Sequence, residues 1–385
     1  MLNPELKLNP KIFDEDIEQK PIRDGYSDAL VELGEKNPDV VVLTADLAES
    51  TRAHKFAEKF PERFIECGVA EQNMAGIAAG LGVSGKIAFI SSYATFSPGK
   101  NWETIRTTII YNDSNVKIAG HHSGIVTGPD GATHQATEDI AIMRCLPNVR
   151  IISPCDFWEA KKATLYSAEV YGPFYIRYVR DKTPIITTEE TPFRFGKIEE
   201  FWIPNTDHTR TIHGQNRQNN KSEQSESSPN QSVLSPNKSV SSPNKSVSMQ
   251  NNADKNIVAI FATGHLVYQA LLAAKELEEE GIDVYVLNVH TIKPLDVEKI
   301  FEIAKKVRGI VTLEDHQVQG GMGSAISEAL MNIDFQKQYG LFSVPPIKFL
   351  GLQNTFGESG KPNELIQKYG MDKEAVKKAV YEFLK

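Results

Sequence analysis

Short β-branched apolar runs alternate with helix-length segments along most of this chain, and that alternation constrains the fold more than any other feature. Val40-Val41-Val42-Leu43-Thr44, Ile87-Ala88-Phe89-Ile90, Val116-Lys117-Ile118-Ala119 and Val149-Arg150-Ile151-Ile152 have the length and composition of buried strands. The stretches between them read as crossover helices. A strand that is apolar throughout has both faces covered, so the pattern predicts an α/β domain over residues 21–200, with a parallel sheet and helices on both of its faces. The alternation returns after Asn256: Ile257-Val258-Ala259-Ile260-Phe261, a helix over His265–Glu279, Val284-Tyr285-Val286-Leu287, a helix near Val297–Lys306, and Gly309-Ile310-Val311-Thr312-Leu313. A second, smaller α/β domain is expected over residues 255–385, with residues 1–20 as an N-terminal extension.

Residues 205–254 interrupt this pattern with a stretch rich in Asn, Ser, Gln and Lys. So little apolar surface cannot offset the entropy of ordering, and a disordered linker is expected. Its seven-residue unit recurs at Ser228–Val233, Ser235–Val240 and Ser242–Val247, and the proline in each copy excludes a coiled coil.

Bulk properties narrow the functional classes. A net charge of −8, with no basic stripe, argues against nucleic-acid binding. The start of the chain lacks a signal-peptide apolar run, and no stretch is long and apolar enough to cross a membrane. The three cysteines, Cys67, Cys145 and Cys155, do not form a disulfide framework, and a cytoplasmic location is expected.

Two motifs carry the chemistry. In Gly68-Val69-Ala70-Glu71-Gln72-Asn73-Met74, followed by the small-residue run Ala75–Gly82, Glu71 falls at the start of a helix expected to pack closely on its neighbours. A carboxylate buried there is costly unless it is used. Desolvation raises its proton affinity, the condition for general acid–base work, although a glutamate that only complements the helix dipole fits the same position. The second motif, Gly128-Pro129-Asp130-Gly131-Ala132-Thr133-His134-Gln135, is a Gly-rich loop ending near a histidine and preceded by His121-His122. Such loops commonly contact substrate. No set of ligands at metal spacing is present, so a zinc site is not expected. Further on, Glu314-Asp315-His316 and Gly320-Gly321-Met322-Gly323 resemble a strand end feeding a helix start, which serves either packing or anion binding.

Taken in order, Thr44-Ala45-Asp46-Leu47-Ala48-Glu49-Ser50, the Glu71 motif, the Asp130–Gln135 motif and Phe356-Gly357-Glu358-Ser359-Gly360 resemble the C-terminal half of transketolase: a pyrimidine-binding domain followed by the transketolase C-terminal domain. The resemblance implies thiamine diphosphate chemistry. A two-carbon ketol unit passes from a ketose phosphate such as xylulose 5-phosphate to an aldose phosphate such as ribose 5-phosphate or erythrose 4-phosphate, in the non-oxidative pentose phosphate pathway. It places Glu71 on the cofactor's aminopyrimidine and Asp46 at the edge of the cofactor site, where a helix cap would explain Asp46 as well. It also assigns Tyr93, with Phe96 nearby, to stack on the pyrimidine ring; both also suit an ordinary core. His122, Asp130 and His134 fall on sugar-binding positions, the two histidines as catalytic groups beside Glu71. Arg23, Ser50 and Arg177 fall on the phosphate end of the sugar, with Arg180 an alternative to Arg177.

The family also needs a diphosphate-binding domain whose Gly-Asp-Gly motif and asparagine hold magnesium on the cofactor's phosphates. No Gly-Asp-Gly or Walker loop occurs here, and no dinucleotide fingerprint follows the first strand. The resemblance therefore implies the C-terminal subunit of a split transketolase, completed by an N-terminal diphosphate-binding subunit that holds the divalent cation, in a heterotetramer. Three alternatives stand beside it: a 2-oxoacid dehydrogenase beta-type subunit, a deoxyxylulose phosphate synthase-like chain, and a noncatalytic regulatory homologue.

Overall fold

The computed structural model describes residues 1–205 and 256–385. The expected linker, apart from Asn205 at its edge, lies outside the described residues. The strands, in chain order, are β1 (Gln19–Pro21), β2 (Val40–Thr44), β3 (Phe64–Glu66), β4 (Ile87–Tyr93), β5 (Val116–His121), β6 (Arg150–Ile152), β7 (Phe174–Tyr178), β8 (Lys182–Pro184), β9 (Glu199–Trp202), β10 (Val258–Ala262), β11 (Val284–Asn288), β12 (Thr291–Lys293), β13 (Gly309–Gln317) and β14 (Ile347–Leu352).

Two sheets dominate. The first runs β12-β6-β7-β5-β4-β2-β3 and is parallel except for β12. The second runs β14-β13-β10-β11-β9 and is parallel except for β9. β2, β5, β7 and β10 are buried along their whole length, as strands covered by helices on both faces must be. The two sheets exchange their antiparallel edges: β12, from the second half of the chain, closes the first sheet, and β9, from the first half, closes the second. The N-terminal residues join the same seam, with Leu2 bridging to Trp202 and Asn3 Nδ2 donating to Glu200 O.

A buried polar network lies where the halves meet. Arg177, on β7, donates from Nε to Asp139 Oδ2 (2.9 Å) and through one terminal nitrogen to Ala136 O and to Asp315 O at the end of β13. Tyr175 adds its hydroxyl to Asp139, and His265 Nε2 lies 3.0 Å from Asp315 Oδ2. The helix start in the second domain, for which packing and anion binding both stood open, is filled from within: the Glu314 carboxylate accepts the Met322 and Gly323 N–H groups, so the strand end caps the helix it feeds. Burial pushes Glu314 up to about 7, against those two donors.

Candidate active site

Four neighbouring strands, β2, β4, β5 and β7, end on the same side of the first sheet and deliver the functional residues from their carboxyl ends. In registered parallel sheets, ligands bind there. Tyr93 pairs with His121, and His121 with Tyr178, so the three chain ends stand side by side.

Glu71 opens the helix Glu71–Val83 and is 2% exposed. The structure gives this carboxylate a partner that the sequence did not suggest: Lys100 Nζ donates to its Oε2 at 2.7 Å, and Asn101 Nδ2 donates to its backbone carbonyl. Lys100 ends, and Asn101 caps, the irregular helical turn Thr95–Lys100, which begins just beyond β4 and also carries Phe96. The expectation that the small-residue helix packs tightly throughout needs correcting. Gly82 faces Ser114 and Asn115, but a side chain at Gly76 or Gly80 would meet nothing. Gln72, Asn73 and Val83 share this exposed face.

Four rings converge beside Glu71's turn. Tyr93 stacks on His122 with centroids 3.9 Å apart, Phe96 lies nearly parallel to Tyr93 at 5.9 Å, and His134 stands edge-on to both. His122 adopts a left-handed backbone, φ 54°, which turns its imidazole toward Arg23. Burial, then the Arg23 and Arg180 guanidinium groups, push His122 down to about 3, so it is neutral near pH 7. Its Nε2 lies 2.8 Å from an Arg23 N–H donor, which assigns the proton to Nδ1, an atom with no partner among the described residues. His121 sits between Tyr26 and Tyr178, and burial, with His122 and Arg23, holds it well below its ordinary value. His134 bonds Thr133 Oγ1 through Nδ1 and remains partly exposed.

A cluster of cations frames the other side of the site. Arg23 donates to Ser50 O at 2.7 Å, and its buried Nε has no partner among the described residues. Burial, Arg52 and Arg180 together depress the Arg23 guanidinium. Arg180 leaves β7's end, donates to Thr127 O and pairs with Asp130 at 3.1 Å. Arg177 is not part of this cluster. It is 2% exposed and committed to Asp139 and two carbonyls, so it is not free for the phosphate contact expected of it from sequence, whereas Arg180, the alternative, reaches the site from beyond the strand end. Asp46 is exposed with φ 59°, and its N–H bonds Glu66. It does not cap the short helix Ala48–Thr51, whose cap position is Leu47, so the capping explanation of Asp46 fails. Burial and Glu66 push the Cys67 thiol up, the direction opposite to thiolate activation. Among the described residues no His, Cys, Asp or Glu cluster is arranged to hold a metal, and no helix is long and apolar enough to cross a membrane.

The molecule is thus an α/β protein of two interlocked sheets, with an acid, two imidazoles, aromatic faces and arginines gathered at the strand ends of one of them. Comparison with known proteins is specific. The transketolase pyrimidine binding domain matches residues 18–185, and the transketolase C-terminal domain matches residues 249–376. A putative transketolase C-terminal section from Methanocaldococcus jannaschii is 38% identical over 95% of this chain and 97% of its own. A 6-deoxy-6-sulfo-D-fructose transketolase subunit from Clostridium sp. (strain MSTE9) is 31% identical over 96% of each. A solved structure described as a split gene transketolase, inactive beta4 tetramer, superposes with TM-score 0.72 at 34% identity, covering 95% of this chain and 99% of that one. The chain belongs to the transketolase family, as a counterpart of the C-terminal section of a split transketolase.

Proposed function

We propose that this chain supplies the pyrimidine side of a thiamine diphosphate-dependent transketolase, moving a two-carbon ketol unit from a ketose phosphate to an aldose phosphate together with a diphosphate-binding partner subunit. The observation that carries this reading is Glu71: a buried carboxylate at a helix start, beside a turn that presents Phe96. The residues fit the cofactor's aminopyrimidine, since a carboxylate and a flat apolar face are the groups such a ring needs. When bound, the cofactor supplies the carbon nucleophile for the ketose carbonyl.

This chain's residues then act as follows. Glu71 hydrogen-bonds the aminopyrimidine and exchanges a proton with it, while Lys100 balances the charge of the carboxylate form at this buried position. One face of Tyr93 is covered by His122, so Phe96 offers the stacking face and Tyr93 backs it; Asp46 borders the cofactor edge. His122 stays neutral and donates from Nδ1 to a sugar oxygen. His134, nearer solvent, moves the proton as carbon–carbon bonds break and form, and Asp130 accepts from a sugar hydroxyl. Arg23, Arg180 and the Ser50 hydroxyl take the phosphate dianion. The diphosphate and its divalent cation fall to the partner, for which the open face of the Glu71–Val83 helix is a ready docking surface. The particular sugars are set by these polyol contacts: pentose phosphates suit them, and the sulfofructose named for the Clostridium relative marks how widely such a site varies.

The experiment mixes the chain with its diphosphate-binding subunit, thiamine diphosphate and magnesium, and follows transfer from xylulose 5-phosphate to ribose 5-phosphate. Transfer only in the mixture, abolished by Glu71→Ala, supports the proposal; a formed complex with no transfer to any aldose phosphate rejects it.

A further inference from the structure

The loop bearing Asp130 and His134 leaves β5 after His121 and ends at Gln135, yet several of its anchors belong to the C-terminal domain. Asp315 Oδ1 accepts the Ile125 N–H at 2.9 Å. Gly128 and Gly131, with φ 75° and 74°, pass beside Gly360 and Ser359; a Cβ on either would press on them, within 3.2 Å of Gly360 O and 2.6 Å of Ser359 Oγ. Between these anchors lies Gln135, 3% exposed. Its Nε2 faces three carbonyls at once, Ile125 O (3.1 Å), Gly128 O (3.4 Å) and Glu358 O (2.9 Å), so one amide ties both arms of the loop to the other domain. Gly357 packs against the Gln135 Oε1, and a methyl group there would collide with it.

We infer that Gln135 is a positioning residue for the sugar-binding loop, and that the C-terminal segment Phe356–Gly360 is the block against which it is set. Sugar recognition on one domain is thereby registered by the other, which gives the C-terminal domain a part in the reaction without contact with substrate. The inference rests on the proposed function only for the identity of the sugar. Asp130, held by Arg180, and His134, next in sequence to Gln135, move with the loop. Glu71 and Phe96 sit on separate elements and do not.

The test uses Gln135→Met, which keeps the volume but removes the donor, and Gly357→Ala, which disturbs the same contact from the opposite domain. In the full-length chain, hydrogen exchange of the Ile125, Val126, Thr127 and Asp130 amides is expected to quicken about tenfold in both variants, the effect of losing one to two net hydrogen bonds, with the Glu71–Val83 amides unchanged. In the reconstituted complex, KM for the sugar phosphates rises by a similar factor while thiamine diphosphate affinity stays as in the wild type. Loop exchange equal to wild type in both variants overturns the inference, as does cofactor affinity that falls in step with KM. A wild-type complex without transfer would reject the proposed function, while the exchange comparison still decides the role of Gln135.

Discussion

Replacing Arg177 with methionine separates the two arginines that sequence alone leaves interchangeable. Arg177 is buried, and its loss strips the Asp139 carboxylate, 1% exposed, of its cation, leaving one oxygen with only the Tyr175 hydroxyl. The other oxygen, Oδ1, already lacks a hydrogen-bond partner among the described residues. Removing one member of a buried ion pair costs about 3–5 kcal/mol. The carbonyls of Ala136 and Asp315 lose a donor at the same time. Even the lower figure is a large share of the ~5–15 kcal/mol that holds a typical protein folded. Arg180→Met makes the contrast, because its pair with Asp130 is 36% and 29% exposed and such a pair contributes only about 0–1 kcal/mol. Urea unfolding followed by fluorescence is expected to show Arg177→Met strongly destabilised and Arg180→Met nearly unchanged. Sugar-phosphate KM in the reconstituted complex should rise for Arg180→Met alone. An Arg177→Met chain as stable as wild type, with phosphate recognition lost, would refute the assignment.

Three further outcomes follow from the geometry. Burial holds His290 at about 3, below the ~6.5 of an unfolded chain, so the unfolded state takes the proton first and stability present above pH 6.5 is lost as pH falls toward 3. Relative to His290→Phe, which has nothing to protonate, the wild type should therefore lose about 1.4 kcal/mol between pH 7.5 and 5.5 in urea titrations; a pH-independent difference would contradict this. Gly124→Ala places a methyl group against the Asp315 carboxylate at a backbone φ of 74°, and should destabilise the chain by roughly 1–3 kcal/mol in thermal unfolding, whereas Gly76→Ala, facing open space, should not. Lys100→Met leaves a buried carboxylate without its cation and should lower stability in urea titrations, whereas Lys100→Arg, which keeps the charge, should not.

The strands that were legible from sequence are those whose apolar runs are uninterrupted: β2, β4, β5, β10 and β11 appear where the alternation places them. β7 escaped notice because Arg177 breaks its apolar run, and the same oversight misplaced that arginine. A strand ending at Tyr178 keeps residue 177 inside the sheet layer and releases residue 180 beyond it, a distinction that spacing from a motif does not contain. The exchanged edges β9 and β12 are too short to carry a periodic signal, and their partners lie in the other half of the chain. Around the candidate site, Glu71 and His134 stand out in sequence because their motifs combine glycines with titratable groups, whereas His122 and Asp130 are picked out by the family resemblance. Lys100 and Asn101 were not legible, since nothing local marks a lysine that reaches back to a helix start. Gln135 stood at the end of a motif whose histidine drew the attention, and its three acceptors are revealed only when the C-terminal domain is folded against it.

The central claim is that Glu71 handles a proton for the cofactor's pyrimidine. The most direct measurement is exchange of the thiazolium C2 proton of thiamine diphosphate, followed by quenched-flow NMR in the reconstituted complex with wild-type chain and with Glu71→Gln. Loss of a positioned acid–base group should slow exchange by about 10²–10⁴-fold, with the complex still formed and the cofactor still bound. Exchange at the wild-type rate in Glu71→Gln would contradict the account.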